Sequence, residues 1–116
     1  KNNIHNKDNK NMALQITDAN AEEILAGNQL VVVDFWGTHC GPCMTLAPII
    51  DELAAEYEGR AVIGKYNVEE EEGDFSIQYR IRAVPTLVFI KNGVQVHKIT
   101  GAAPKADIKA AIEANL

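Results

Sequence analysis

Two cysteines stand three positions apart, Cys40 and Cys43, with Gly41 and Pro42 between them, and the chain has no others. A pair this close encloses almost no loop, so it is a poor staple for a small fold. It is also too few ligands for a structural zinc site, which wants four nitrogen or sulfur donors; the neighbouring His39 would bring the local count only to three. Two readings are left, a pair of buried structural thiols and a redox pair. The surroundings favour the second. An apolar run, Leu30–Trp36, precedes the pair, and a helical pattern follows it. A thiol placed where such a helix begins meets unpaired N–H groups and a partial positive charge. Its thiolate is then stabilised and reactive near neutral pH. The i, i+3 spacing puts the second sulfur on the same face, within reach of a disulfide. Gly41 gives the backbone room, and Pro42 fits a first helical turn, where its missing N–H is no loss.

The elements that would hold this pair can be read from periodicity. Leu14–Thr17 reads as a first strand, with Asp18 offered as the cap of a short helix carrying Ala21, Ile24 and Leu25. Leu30–Trp36 is continuous apart from Asp34, the pattern of a central strand buried on both faces. Cys43, Leu46, Ala47, Ile50, Leu53, Ala54 and Tyr57 recur at helical spacing up to Gly59, and Pro48 within that stretch predicts a kink. Ala61–Val68 reads as a third strand and Phe75–Tyr79 as a short helix. Thr86–Lys91, Asn92-Gly93 and Val94–Thr100 form a strong hairpin signal. Pro104 then opens a terminal helix with Ile108, Ile112 and Leu116 on one face. The predicted order, β-α-β-α-β-α-β-β-α, makes an α/β protein: a central mixed five-stranded sheet flanked by four helices.

Composition sets the outer bounds. The 116 residues suit one domain, and 47% are apolar, enough for a buried core. A formal net charge of −5 gives no electrostatic reason to expect nucleic acid or an anionic membrane as partner. No apolar run is long enough to cross a bilayer. Residues 1–11, mostly Asn and Lys, read as a flexible leader, a cloning remnant or the end left by a removed signal peptide, with residues 12–116 as the domain and Met12 as a candidate start. Glu69–Glu72 with Asp74 reads as a solvated loop able to bias charge selection among partners, and His5 and His97 as surface residues.

The segment Asp34-Phe35-Trp36-Gly37-Thr38-His39-Cys40-Gly41-Pro42-Cys43 resembles the active-site segment of the thioredoxin family. The likeness continues, in family order, through Ala47-Pro48, Lys65, Arg82-Ala83-Val84-Pro85-Thr86, Lys91-Asn92-Gly93 and Gly101. It implies the thioredoxin fold and reduction of protein disulfides, with Cys40 as nucleophile and Cys43 as resolving thiol. It makes Asp34 the buried acid that exchanges a proton with Cys43, and puts Lys65 near that acid; alone, Lys65 would read as a solvated strand-end charge. An Asp in an apolar strand is costly unless partnered, and desolvation should raise its pKa. Pro85 matches the family's cis-proline, with Val84 offering backbone to an extended substrate segment. Trp36, His39, Gly41, Pro42 and Gly101 complete the implied substrate surface.

No bound metal or other cofactor is implied, only the Cys40–Cys43 disulfide. The implied electron donor is a flavin-containing thioredoxin reductase, the working form a monomer and the compartment cytoplasmic. Export, with a membrane electron donor, is the alternative if residues 1–11 follow a signal peptide. A thioredoxin-fold binding subunit of another enzyme is the other. Two positions depart from the family pattern. His39 stands where Trp is usual, which removes apolar contact surface and adds a side chain of the type that changes charge near neutrality. Met44 stands where a basic residue is common.

Overall fold

The computed structural model describes residues 12–116; the reading of 1–11 as a leader, and that of His5, lie outside the described residues. The elements follow in the order β1 (Leu14–Gln15), α1 (Ala21–Leu25), β2 (Leu30–Trp36), α2 (Gly41–Glu56), β3 (Ala61–Asn67), α3 (Asp74–Gln78), β4 (Thr86–Lys91), β5 (Val94–Thr100) and α4 (Lys105–Asn115). They form one five-stranded sheet in the order β1-β3-β2-β4-β5. β3 runs parallel to both β1 and β2, while β2–β4 and β4–β5 are antiparallel. A parallel β2–β3 pair needs a crossover, and α2 supplies it.

The sheet is covered on both faces, which explains the apolar character of β2 at every position but Asp34. Leu30 and Val32 share one core with Leu46, Ile50 and Leu53 of α2, Leu87 and Phe89 of β4, and Ile108 and Ile112 of α4. Val31, Val33 and Phe35 point the other way, into a core with Ile16, Ala21, Tyr66, Phe75, Val88 and Ile90. On this second side the rings of Phe35, Tyr66 and Phe75 meet with centroids 5.2–5.4 Å apart. Asp34 shares the face of Leu30 and Val32 and is therefore directed to the α2 side.

Two local expectations need correction. Asp18 does not cap α1; Asn20 holds the N-cap position, without a side-chain bond to the helix. The Asp18 carboxylate is drawn instead to the start of α3, accepting from the Phe75 N–H at 2.9 Å, the Gly73 N–H at 3.1 Å and the Tyr66 hydroxyl at 2.7 Å. Desolvation pushes its pKa up, but these bonds outweigh that and hold it below the ordinary value. Pro104 sits one place earlier than expected, as the extended N-cap of α4. Pro48 is accommodated within α2, where it removes the N–H that the Met44 carbonyl would otherwise meet. The hairpin turn follows the rule for two-residue loops, with positive φ at Asn92 and Gly93, and β5 carries a bulge opposite Phe89/Ile90.

Gly64 is packed tightly against β1 and the residue after it. A Cβ there would lie 2.8 Å from the backbone oxygen of Leu14 and 2.5 Å from Ile16 Cδ1. The Ile16 side chain can shift, but the Leu14 carbonyl belongs to the β1–β3 ladder. Gly64→Ala is therefore expected to cost about 1–3 kcal/mol and lower the thermal midpoint by several degrees. Gly27→Ala, whose Cβ would meet nothing nearer than 3.8 Å, is the control expected to be nearly silent in the same melting experiment. Equal midpoints for the two variants would show that the β1–β3 contact is not tight.

Candidate active site

The chain leaves β2 at Trp36 and reaches α2 within four residues, through Gly37, Thr38, His39 and Cys40. Cys40 is the N-cap of α2, with extended backbone (φ −115°, ψ 108°), and its Sγ accepts from the Cys43 N–H at 3.1 Å. The sulfur thus occupies the place a capping oxygen normally takes, against one of the orphan donors of the first turn. Pro42 lies in that turn. Cys43, one turn in, is 1% exposed, whereas Cys40 is half-buried. The two sulfurs form a disulfide with Cα atoms 5.2 Å apart.

Distant segments close on this pair. The Val84–Pro85 peptide is cis, and the Val84 carbonyl oxygen lies 3.6 Å from Cys40 Sγ. The Thr86 hydroxyl donates to the Ala83 carbonyl at 2.7 Å, folding the Arg82–Thr86 loop on itself. Gly101, at φ +91°, donates its N–H to the Pro85 carbonyl at 2.8 Å. Gly101, Val84, Pro85 and Cys40 are thereby brought together. Gly41 and Pro42 are exposed beside them, and Met44 is exposed as well.

Asp34 lies in the strand that leads to the dithiol. It is 3% exposed, its Oδ1 has no hydrogen-bond partner, and its strand neighbours are Lys65 in β3 and Leu87 in β4. Burial pushes its pKa up to about 7, Lys65 draws it down and the Asp51 carboxylate pushes it further up. Lys65 forms no ion pair with Asp34 among the described residues; its Nζ stands 5.7 Å from the centre of the Trp36 ring. Trp36 is half-buried, and its indole Nε1 has no partner.

Glu69 belongs to the acidic run that the sequence marks as a solvated loop able to bias charge selection among partners. In the structure it turns back onto the dithiol loop: Oε2 accepts from the His39 N–H at 3.2 Å, and Oε1 lies 3.2 Å from His39 Nδ1. The bond from the His39 N–H, more than the partial burial that opposes it, holds the Glu69 carboxyl below the ordinary glutamate range. Nothing local signals this contact, since the two residues are 30 positions apart. Among the described residues no group of three His, Cys, Asp or Glu side chains could share a metal ion, and no helix is long and apolar enough to cross a membrane.

A disulfide at the tip of a helix, one sulfur on the cap and the other buried beneath it, carried by a mixed five-stranded sheet, defines a thiol–disulfide oxidoreductase. Comparison with known proteins agrees. The thioredoxin family model matches residues 12–114. The chain is 45% identical over 103 residues to a thioredoxin of Chlorobaculum thiosulfatiphilum, covering 88% of this chain and 94% of that protein. It is 48% identical over 92 residues to thioredoxin 2 of Chlorobaculum tepidum, covering 78% and 84%. The solved structure of the Malassezia sympodialis thioredoxin Mala s 13 superposes with a TM-score of 0.80 at 31% identity, covering 88% of this chain and 89% of that one. The chain belongs to the thioredoxin family, and its redox chemistry is that of a protein-disulfide reductase working through the Cys40–Cys43 pair.

Proposed function

We propose that Cys40 opens the reaction and Cys43 closes it. The observation that carries this reading is the Cys43 N–H directed at Cys40 Sγ on the cap of α2, with the second sulfur buried below. In the reduced protein the Cys40 thiolate attacks one sulfur of a substrate disulfide. A new S–S bond forms, the substrate S–S bond breaks, and the departing substrate thiolate takes up a proton. Cys43 then loses its proton to Asp34 and attacks Cys40 Sγ; the mixed S–S bond breaks, the second substrate sulfur leaves as a thiolate and takes up a proton, and the Cys40–Cys43 disulfide remains. Two electrons pass to the substrate.

Lys65 acts from the neighbouring strand by stabilising the Asp34 carboxylate. An extended substrate segment lies along the Val84 backbone beside Pro85, over Trp36, His39, Gly41, Pro42 and Gly101. No step needs a further cofactor. We assign re-reduction to a flavin-containing thioredoxin reductase and the working compartment to the cytoplasm, with residues 12–116 acting as a monomeric domain. The test is insulin disulfide reduction driven by NADPH and such a reductase, followed as NADPH consumption. Sustained, catalytic turnover is expected. Insulin reduction with dithiothreitol but none with the reductase would overturn the assigned donor, and no acceleration with either reductant would overturn the assigned reaction.

A further inference from the structure

Between Trp36 and Cys40 the chain is held by side chains at the end of β3 and in the loop after it. Asn67, the last residue of β3, is buried; its Oδ1 accepts from the Glu69 N–H at 2.9 Å, and its Nδ2 reaches Thr38 Oγ1 at 3.4 Å. Glu69, fixed in this way, grips the backbone N–H and ring Nδ1 of His39 with its two carboxylate oxygens. Its carboxylate also lies so close over Gly37 that a Cβ there would come within 2.7 Å of Oε2. Three consecutive residues before the nucleophile are thus met by the end of β3 and the loop after it. The His39 side chain is 90% exposed, so burial does not fix its place and the Glu69 contact does.

We propose that Glu69 is a positioning residue for the dithiol: by holding His39 through backbone and ring, it fixes the segment that sets Cys40 Sγ against the Cys43 N–H. The inference rests on Cys40 being the attacking thiol. It assigns a role to a side chain that does not touch the substrate and acts through its neighbour. Removing it frees the Gly37–His39 segment, so that the sulfur spends less time at the helix cap and its thiolate is less stabilised.

Glu69→Gln and Glu69→Ala separate positioning from charge. Both variants are neutral at this site, so both lose the carboxylate's repulsion of a nearby thiolate. Only Gln keeps an acceptor for the His39 N–H and a donor for a neutral His39 ring nitrogen. The experiment measures iodoacetamide labelling of the fully reduced proteins at pH 7, well below their thermal midpoints, with peptide mapping of the labelled cysteine and thiolate absorbance recorded against pH. Glu69→Ala is expected to label at Cys40 about fivefold more slowly than Glu69→Gln, the scale of one lost hydrogen bond, with its thiolate titration displaced to higher pH. Equal labelling and superimposable titrations for the two variants, with Cys40 still the labelled residue, would overturn the inference and leave Cys40 as nucleophile. Preferential labelling of Cys43 in the wild type would overturn both.

Discussion

Cys43→Ser should leave the protein covalently attached to its substrate, whereas Cys40→Ser should reduce turnover to background. The asymmetry follows from where the sulfurs sit. Cys40 is half-buried at the helix cap beside the Val84 carbonyl, and a substrate disulfide can approach it there. Cys43 is 1% exposed and is bonded to the Cys40 sulfur. Thiol–disulfide exchange passes through a mixed disulfide, and only its breakdown needs the second thiol. A serine at 43 cannot perform that attack, so the first product accumulates. A serine at 40 leaves no accessible thiol, and burial leaves Cys43 without a route to the substrate. Incubating each reduced variant with insulin and separating the products under non-reducing conditions gives the readout. A dithiothreitol-cleavable adduct near one to one is expected for Cys43→Ser, and none for Cys40→Ser. Adducts in equal amounts from both variants would sink the ordered mechanism.

The parts of this molecule that sequence reveals are those specified within a few residues. β2 is visible because both its faces are buried and every position but Asp34 is apolar. The β4–β5 hairpin is visible because Asn92-Gly93 suits the positive φ of both turn residues. The dithiol is visible because its chemistry needs two cysteines one helical turn apart. Asp18 misleads for a related reason. A carboxylate just before a helical pattern looks like a cap, yet its three partners lie 48 to 57 residues away, where β3 and α3 pass it. Glu69 is hidden in the same way. Four consecutive glutamates look interchangeable in sequence, but only one stands where the chain passes the Gly37–Cys40 segment, and Glu71 instead accepts from the Asp18 N–H. The bulge in β5 has no local marker at all. Contacts made across the fold decide these features, and a one-dimensional pattern does not encode them.

Asp34→Asn should make the protein more stable by an amount that grows with pH, while slowing disulfide reduction near neutrality. The carboxyl titrates at about 7 in the folded chain because burial disfavours its charged form, with Lys65 only partly offsetting that and Asp51 adding to it. In the unfolded chain it titrates near the ordinary value of 3.8. Well below pH 4 it is protonated in both states, and its ionisation adds no penalty to the fixed cost of burying the group. Between pH 4 and 7 the unfolded chain has released this proton and the folded chain has not, so stability falls as pH rises. Above pH 7 the penalty is complete, and the gap in pKa corresponds to roughly 4 kcal/mol. Asparagine lacks this titration. Its amide brings a fixed cost or gain of its own, depending on the bonds it finds, but that offset does not vary with pH. The stability difference between variant and wild type in urea should therefore widen by roughly 4 kcal/mol from pH 4 to pH 8. A difference that stays flat over that range would show that Asp34 ionises as an ordinary carboxyl. The kinetic consequence has its own pH signature. A carboxylate that titrates near 7 is partly free to accept the Cys43 proton at neutral pH, and asparagine is not. Loss of the acceptor should slow release of substrate from Cys40 most at pH 6.5–7.5. The difference between the two proteins should narrow as pH rises further, because hydroxide can then take the thiol proton without help. Stopped-flow measurement of mixed-disulfide breakdown across that range decides the matter, and identical profiles for the two proteins would remove Asp34 from the proton path.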